Sequence, residues 1–206
     1  PIPEKLAAKM HKMIAVIQFK VEGQSILRHP EYELDHRLLL DKIDYDKGTV
    51  NLYGKTYELK DVHLPTVDPE NPYELNAEEE EVMSALEASI LNSQKLKEHM
   101  HFMFSHGSLY HISNNNLLFH GCIPMTEDGE FKKVKVDGKE LSGAKLFRYL
   151  DKAMRNAYYN SKDDEERAEA GELMWRLWLD KDSPLFGKDK MTTFERCFTS
   201  SKEAKK

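Results

Sequence analysis

The chain has 206 residues, of which 40% are hydrophobic and 32% charged, with a formal charge of -6. That length buries a core without staples, the balance is that of an ordinary globular protein, and the acidic excess argues against a dedicated nucleic-acid binder. No stretch approaches the ~20 apolar residues of a membrane span.

Two cysteines, Cys122 and Cys197, are too few for a disulfide framework and form no Cys-x-x-Cys metal pair. A reducing cytoplasm is the expected location. The opening Pro1-Ile2-Pro3-Glu4-Lys5 lacks an initiator Met and is not a signal peptide. The chain is therefore expected to be cut from a longer protein or processed.

Pro3 suits a first helical turn, and Leu6, Met10, Met13, Ile14, Ile17 and Val21 recur at helical spacing. Ala15, Val16 and Phe19 widen this stripe, so a largely covered helix is expected, ending near Arg28 ahead of Pro30. Residues 49–53 and 56–59 alternate around Gly54-Lys55, which predicts a β-hairpin, with a third strand over 43–45. Pro65, Pro69 and Pro72 mark an irregular connection. Asn76 and Glu79 form a reciprocal helix start. The run Glu78 to Glu81 reads as a solvated first turn rather than a metal site. Val82, Leu86, Ile90, Leu96, Met100 and Met103 extend that helix to Phe104.

Strands over 109–112 and 117–119 flank a polar turn, and Asp137-Gly138 turns a further hairpin. Helices are predicted over 142–159 and 163–179, then a loop over 180–190 and a short helix over 192–198. The expected fold class is α+β, mostly helical with short antiparallel hairpins. The expected division is residues 1–105, a helical segment with a hairpin that is a candidate insertion or regulatory region, and residues 106–206, a candidate part of a catalytic core.

The segment from Leu117 to Met125 runs an apolar strand into His120-Gly121. A glycine beside the imidazole permits close approach of a ligand. A neutral imidazole at a strand end suits manganese, iron or zinc. The plainer reading is a polar residue closing a strand. His99, His101, His106 and His111 do not extend this into a polyhistidine site. His99 and His101 lie two apart, about 200° around a helix.

The second candidate runs from Ser183 to Arg196, with Lys188, Lys190 and Arg196 near a predicted helix start. Backbone N–H groups and lysines there suit a phosphate, while a solvated loop with ordinary capping is the plainer reading. Trp175 and Trp178, three apart, are expected to anchor a helix in the core. Asp180 and Asp182 read either as catalytic carboxylates or as solvated loop acids.

Six stretches carry a family resemblance: Lys12 to Gln24, Arg37 to Ile43, Asn71 to Leu75, Gly107 to Tyr110, Phe119 to Met125, and Ser183 to Arg196. Taken in order, they resemble the class III bacterial fructose-1,6-bisphosphatases, relatives of the calcineurin-like metallophosphoesterases. The resemblance implies a two-metal, manganese-dependent (Mn2+) hydrolase that converts fructose 1,6-bisphosphate to fructose 6-phosphate in gluconeogenesis. Two metals would clamp the phosphate and activate a water. His120 matches a metal-ligating histidine of that pattern. Lys188, Lys190 and Arg196 are the candidates for a substrate phosphate.

The pattern is incomplete here. No Gly-Asp-x-x-Asp-Arg-Gly, Gly-Asn-His or final Gly-His metal motif occurs. The remaining ligands are expected before Pro1 and after Lys206, and the isolated chain is expected to be inactive. A non-catalytic helical interaction module is the competing reading, which composition and periodicity favour and the ordered resemblance does not. A strand taken from a larger sheet would expose an edge, so association between copies is a further expectation.

Overall fold

The computed structural model describes residues 2–160 and 164–187, side chains at 160 and 164 excepted. Among the described residues its elements are five α-helices, three single-turn 3-10 helices and three small antiparallel sheets, an α+β arrangement. They gather into two compact units, one reaching Ser89 and the other starting at Ile90. Among the described residues no helix is long and apolar enough to cross a membrane.

The first unit opens with α1 (Glu4–Arg28), which ends at a His29 cap just before Pro30, as the sequence predicts. Coverage along α1 is uneven. Val16, Ile17, Phe19 and Ile26 are buried, but Leu6, Met10, Met13 and Ile14 are exposed. The expectation of a covered helix fails for its first half. The unit's buried apolar side chains beyond α1 come from Leu34, Leu38–Leu40, Ile43, Val50, Leu52, Leu64, Val67 and Tyr73.

The sheet of this unit is β1 (Ile43–Asp44), β2 (Thr49–Leu52) and β3 (Lys55–Glu58), with Val50 paired to both Ile43 and Tyr57. The turn sits at Tyr53-Gly54, one residue earlier than the pattern predicts. Both residues adopt positive φ, 53° and 75°, as a two-residue turn matching strand twist requires. Glycine at its second position fixes the register.

Helix α2 (Ala77–Leu91) begins with the predicted reciprocal cap. The Asn76 N–H donates to Glu79 Oε2 at 3.0 Å, and the Glu79 N–H donates to Asn76 Oδ1 at 2.9 Å. Glu79 departs from the solvated reading of the acidic run. It is buried and paired at 2.7 Å with Lys20, whose side chain is fully enclosed. Burial tends to raise the Glu79 carboxyl, but the Lys20 ammonium and the donors around it outweigh that and hold it below its ordinary value. The predicted single helix to Phe104 is broken. Ser93 accepts the Leu96 N–H at 3.3 Å and starts a separate helix, α3 (Gln94–His106). A serine cap competes well with helix continuation.

In the second unit, β4 (Tyr110–Ser113) pairs with β5 (Asn116–Phe119), and β6 (Val134–Val136) pairs with β7 (Lys139–Leu141). Asn114 and Asn115 take the positive-φ turn positions of the first hairpin, and Asp137 and Gly138 those of the second. Helices α4 (Gly143–Asn160) and α5 (Asp164–Arg176) follow. The core joins one face of each: Leu109, Val134, Val136, Leu146, Phe147, Leu150, Leu173 and Leu177. Helix α5 stops three residues earlier than predicted, which changes the setting of Trp178. The predicted helix over 192–198 lies outside the described residues.

The Lys20–Glu79 pair generates a stability prediction. Lys20→Met leaves a buried carboxylate without its partner, which costs about 3–5 kcal/mol. Because the folded-state Glu79 value is lowered, the pair's contribution is complete above the ordinary value of 4.5 and is lost as pH falls through the folded-state value. Urea unfolding at pH 7 should show the full deficit, and the gap between variant and native chain should narrow in acid.

Candidate functional site

The second unit contains an open cavity of about 300 Å³, lined largely by Met103, Phe104, Leu109, Met154, Met174 and Leu185. His120, Trp178, Asp151 and Arg155 contribute its polar and aromatic groups. Concave, mostly apolar sites with a few polar groups are the usual form of a ligand pocket.

Asp151 and Arg155, one turn apart on α4, are engaged elsewhere. The Arg155 Nε donates to Asp151 Oδ2 at 2.9 Å, and its two terminal nitrogens donate to the carbonyls of Phe104 and Gly107. These carbonyls belong to the C-terminal end of α3, where orphan acceptors need donors. The other Asp151 oxygen accepts the Leu109 N–H at 3.3 Å. Together they bind the turn between α3 and β4 to α4. Neither group is left as an acid, base or anion receptor. The i,i+4 spacing is legible in the sequence; the carbonyls that Arg155 reaches are not.

His120 follows directly after β5 and is exposed. Its ring meets the edge of Trp178 with centroids 6.4 Å apart and planes at 70°. Trp178 is 55% exposed, contrary to the expected core anchor. The reason is local: α5 ends at Arg176, so helical spacing no longer carries Trp178 onto the buried face.

Gly121 has a different role from the one expected. A Cβ there would lie 2.5 Å from the Pro184 carbonyl oxygen and 2.7 Å from the Leu185 carbonyl carbon. The close neighbour is backbone of the same chain, not space for a ligand. The Gly121 and Cys122 N–H groups both donate to the Pro184 carbonyl, at 2.9 and 3.2 Å. The Cys122 thiol donates to the Ser183 carbonyl at 3.2 Å. The structure thus joins the His-Gly turn to the start of the Ser183 loop, two candidates that are about 60 residues apart in the chain. Burial pushes the Cys122 thiol up, with Asp182 and Asp180 adding to it, away from the thiolate form that reacts.

The two loop acids are ion-paired. Asp180 is buried against Arg176, at 3.0 Å from Nε and 2.9 Å from Nη2. Asp182 receives the Lys132 ammonium at 2.8 and 2.7 Å. This overturns the solvated reading of both and leaves neither Asp180 nor Asp182 poised for acid–base work. Lys188, Lys190 and Arg196 lie outside the described residues. Among the described residues no three His, Cys, Asp or Glu side chains converge to hold a metal ion. His101 instead contacts Tyr159 and His106 stacks on Phe102.

A family profile described as Firmicute fructose-1,6-bisphosphatase matches residues 3–206. A Clostridium tetani protein named fructose-1,6-bisphosphatase class 3 is 53% identical over 203 residues, covering 98% of this chain and 31% of the relative. A Clostridium beijerinckii protein named fructose-1,6-bisphosphatase class 3 1 is 54% identical over 198 residues, covering 96% and 30%. One from Clostridioides difficile, named like the first, is 49% identical over 203 residues, covering 98% and 31%. The chain thus spans about a third of the length of these relatives. No solved structure matches it.

The junction at Gly121 is testable. Gly121→Ala forces the Pro184 backbone away and lowers stability by about 1–3 kcal/mol, the usual cost of overpacking. Gly171→Ala on α5, whose added methyl meets no atom within 4 Å, serves as the control and should be neutral or slightly stabilising. Thermal unfolding of the two variants should separate them, and an unchanged Tm for Gly121→Ala would reject the junction.

Proposed function

Because the chain belongs to the Firmicute fructose-1,6-bisphosphatase family, we propose that it is a segment of a longer cytoplasmic enzyme that hydrolyses the 1-phosphate of fructose 1,6-bisphosphate. The product would be fructose 6-phosphate, in gluconeogenesis. The observation that carries the reading is the match of the family profile to residues 3–206, with about half of all residues identical to proteins named for that activity. Residues 106–206 are assigned to the catalytic, metallophosphoesterase-like part, and 1–105 to regulation or assembly.

The family implies a metal, and the described residues do not form a site for one on their own. His120 is accompanied by Trp178, and the carboxylate of its cavity, Asp151, already accepts from Arg155 and the Leu109 N–H. His120 is proposed as a single donor, to manganese on the family resemblance, with the other ligands supplied by the longer polypeptide. Its exposure and its place at a strand end support that role. Lys188, Lys190 and Arg196 are proposed to contact the substrate phosphate through charge-assisted hydrogen bonds.

Two measurements test the proposal. Residues 1–206 alone should show no metal-dependent release of phosphate from fructose 1,6-bisphosphate, while the full-length polypeptide turns it over. Turnover by the isolated chain would refute the division of the site. In the full-length protein, His120→Ala should reduce turnover by at least the ~10–100-fold that loss of an outer-shell partner costs. Elemental analysis should find one metal ion fewer per chain. Full activity with unchanged metal content would reject the ligand assignment.

A further inference from the structure

The β4–β5 hairpin carries an uncovered apolar face. Its register pairs Tyr110 with Phe119 and Ile112 with Leu117. Cross-strand partners share a face and alternate residues oppose it. One face is therefore Tyr110, Ile112, Leu117 and Phe119, while the other carries His111, Ser113, Asn116 and Leu118. At its base the first face is anchored: Tyr110 meets Phe147 edge-to-face at 5.7 Å, against the core of the second unit. The rest of that face is exposed: Phe119, opposite Tyr110 at the base, to 43%, and Ile112 and Leu117, nearer the turn, to 63% and 46%.

The hairpin stands alone as a two-stranded sheet among the described residues, so its outer backbone groups have no ladder partner there. Such a hairpin is marginal in water, and a row of unpaired groups beside an apolar face is a template for another strand.

We propose that this face and edge are the docking surface for the remainder of the longer polypeptide, which adds a strand or packs an apolar sheet layer against Ile112, Leu117 and Phe119. The occupant follows from chain length. The Clostridium tetani relative has most of its length beyond the 31% that this chain matches. A covalently tethered segment competes at an effective concentration in the millimolar range. A second copy at ordinary concentrations does not. The proposal rests on the chain being a segment of a longer protein, and not on the reaction that the protein performs.

Hydrogen–deuterium exchange followed by mass spectrometry tests this without any activity readout. Peptides covering 109–119 would be compared between the 206-residue chain and the full-length polypeptide containing it, each also sized by sedimentation. Expected is fast exchange in the monomeric short chain and at least ~100-fold slower exchange in the full-length protein, since covered strands open only with larger units. Equal, fast exchange in both would overturn the proposal. Protection already present in the short chain would also overturn it: with a dimeric mass the occupant is a second copy, and with a monomeric mass it is the chain itself. Leu117→Lys in the full-length protein should restore fast exchange to the hairpin; a hairpin still protected in a folded variant would count against the docking face. Absent bisphosphatase activity would leave the exchange result standing, so the two readings fail separately.

Discussion

The second unit is organised by a close approach between two stretches of backbone, at which Gly121 meets Pro184 and Leu185 with no room for a side chain. One carbonyl, that of Pro184, receives both the Gly121 and the Cys122 N–H. This junction fixes the exit of β5 and so the position of the His120 ring. It also fixes the loop that follows Trp178. The junction thereby brings the segments that carry the imidazole and the indole together, and the two rings meet edge to face. Side-chain clamps then hold the loop: Lys132 on Asp182, and Arg176 on Asp180.

Polar clamps of this kind do much of the joining in each unit. In the first, Lys20 reaches from α1 to Glu79 on α2. In the second, Arg155 reaches from α4 to the end of α3. Buried pairs are costly to desolvate, and their value lies in geometry more than in net stability. Each here also answers a backbone need. Glu79 caps its helix, Arg155 satisfies orphan carbonyls, and Arg176 donates to the Lys135 carbonyl at 3.1 Å. Charged residues near the candidate site are therefore mostly structural, and the cavity's walls are apolar.

Local signals in the sequence are legible where one residue decides the outcome. Pro30 ends α1, Asn76 with Glu79 starts α2, and Asp137-Gly138 turns β6 into β7. The pattern misleads where a second local choice competes. Ser93 caps a new helix inside an otherwise continuous apolar pattern, and Tyr53 accepts positive φ so that the turn slips by one residue. His120 stands out in the sequence because a His-Gly pair at a strand end is a short-range pattern. Arg155 and Asp151 do not, and Trp178 stands out only as an expected core anchor, because their settings depend on partners about 40 to 60 residues away, which no local pattern records.

Several apolar positions that fit the periodicity are exposed: Leu6 and Met10 on α1, Leu86 and Ile90 on α2, Ile112 and Leu117 on the hairpin. Scattered apolar exposure is normal. On the hairpin, however, Ile112, Leu117 and Phe119 share one face with Tyr110, which meets the core, while Leu118 on the opposite face is exposed as well. A binary pattern encodes every contact a segment makes, including contacts with polypeptide beyond the segment. The same reasoning bears on His120, which closes β5 directly after Phe119. Its ring stands at the exit of the hairpin, against Trp178 and beside the cavity. Under the proposed docking, polypeptide that covers the hairpin would also reach the surroundings of that ring.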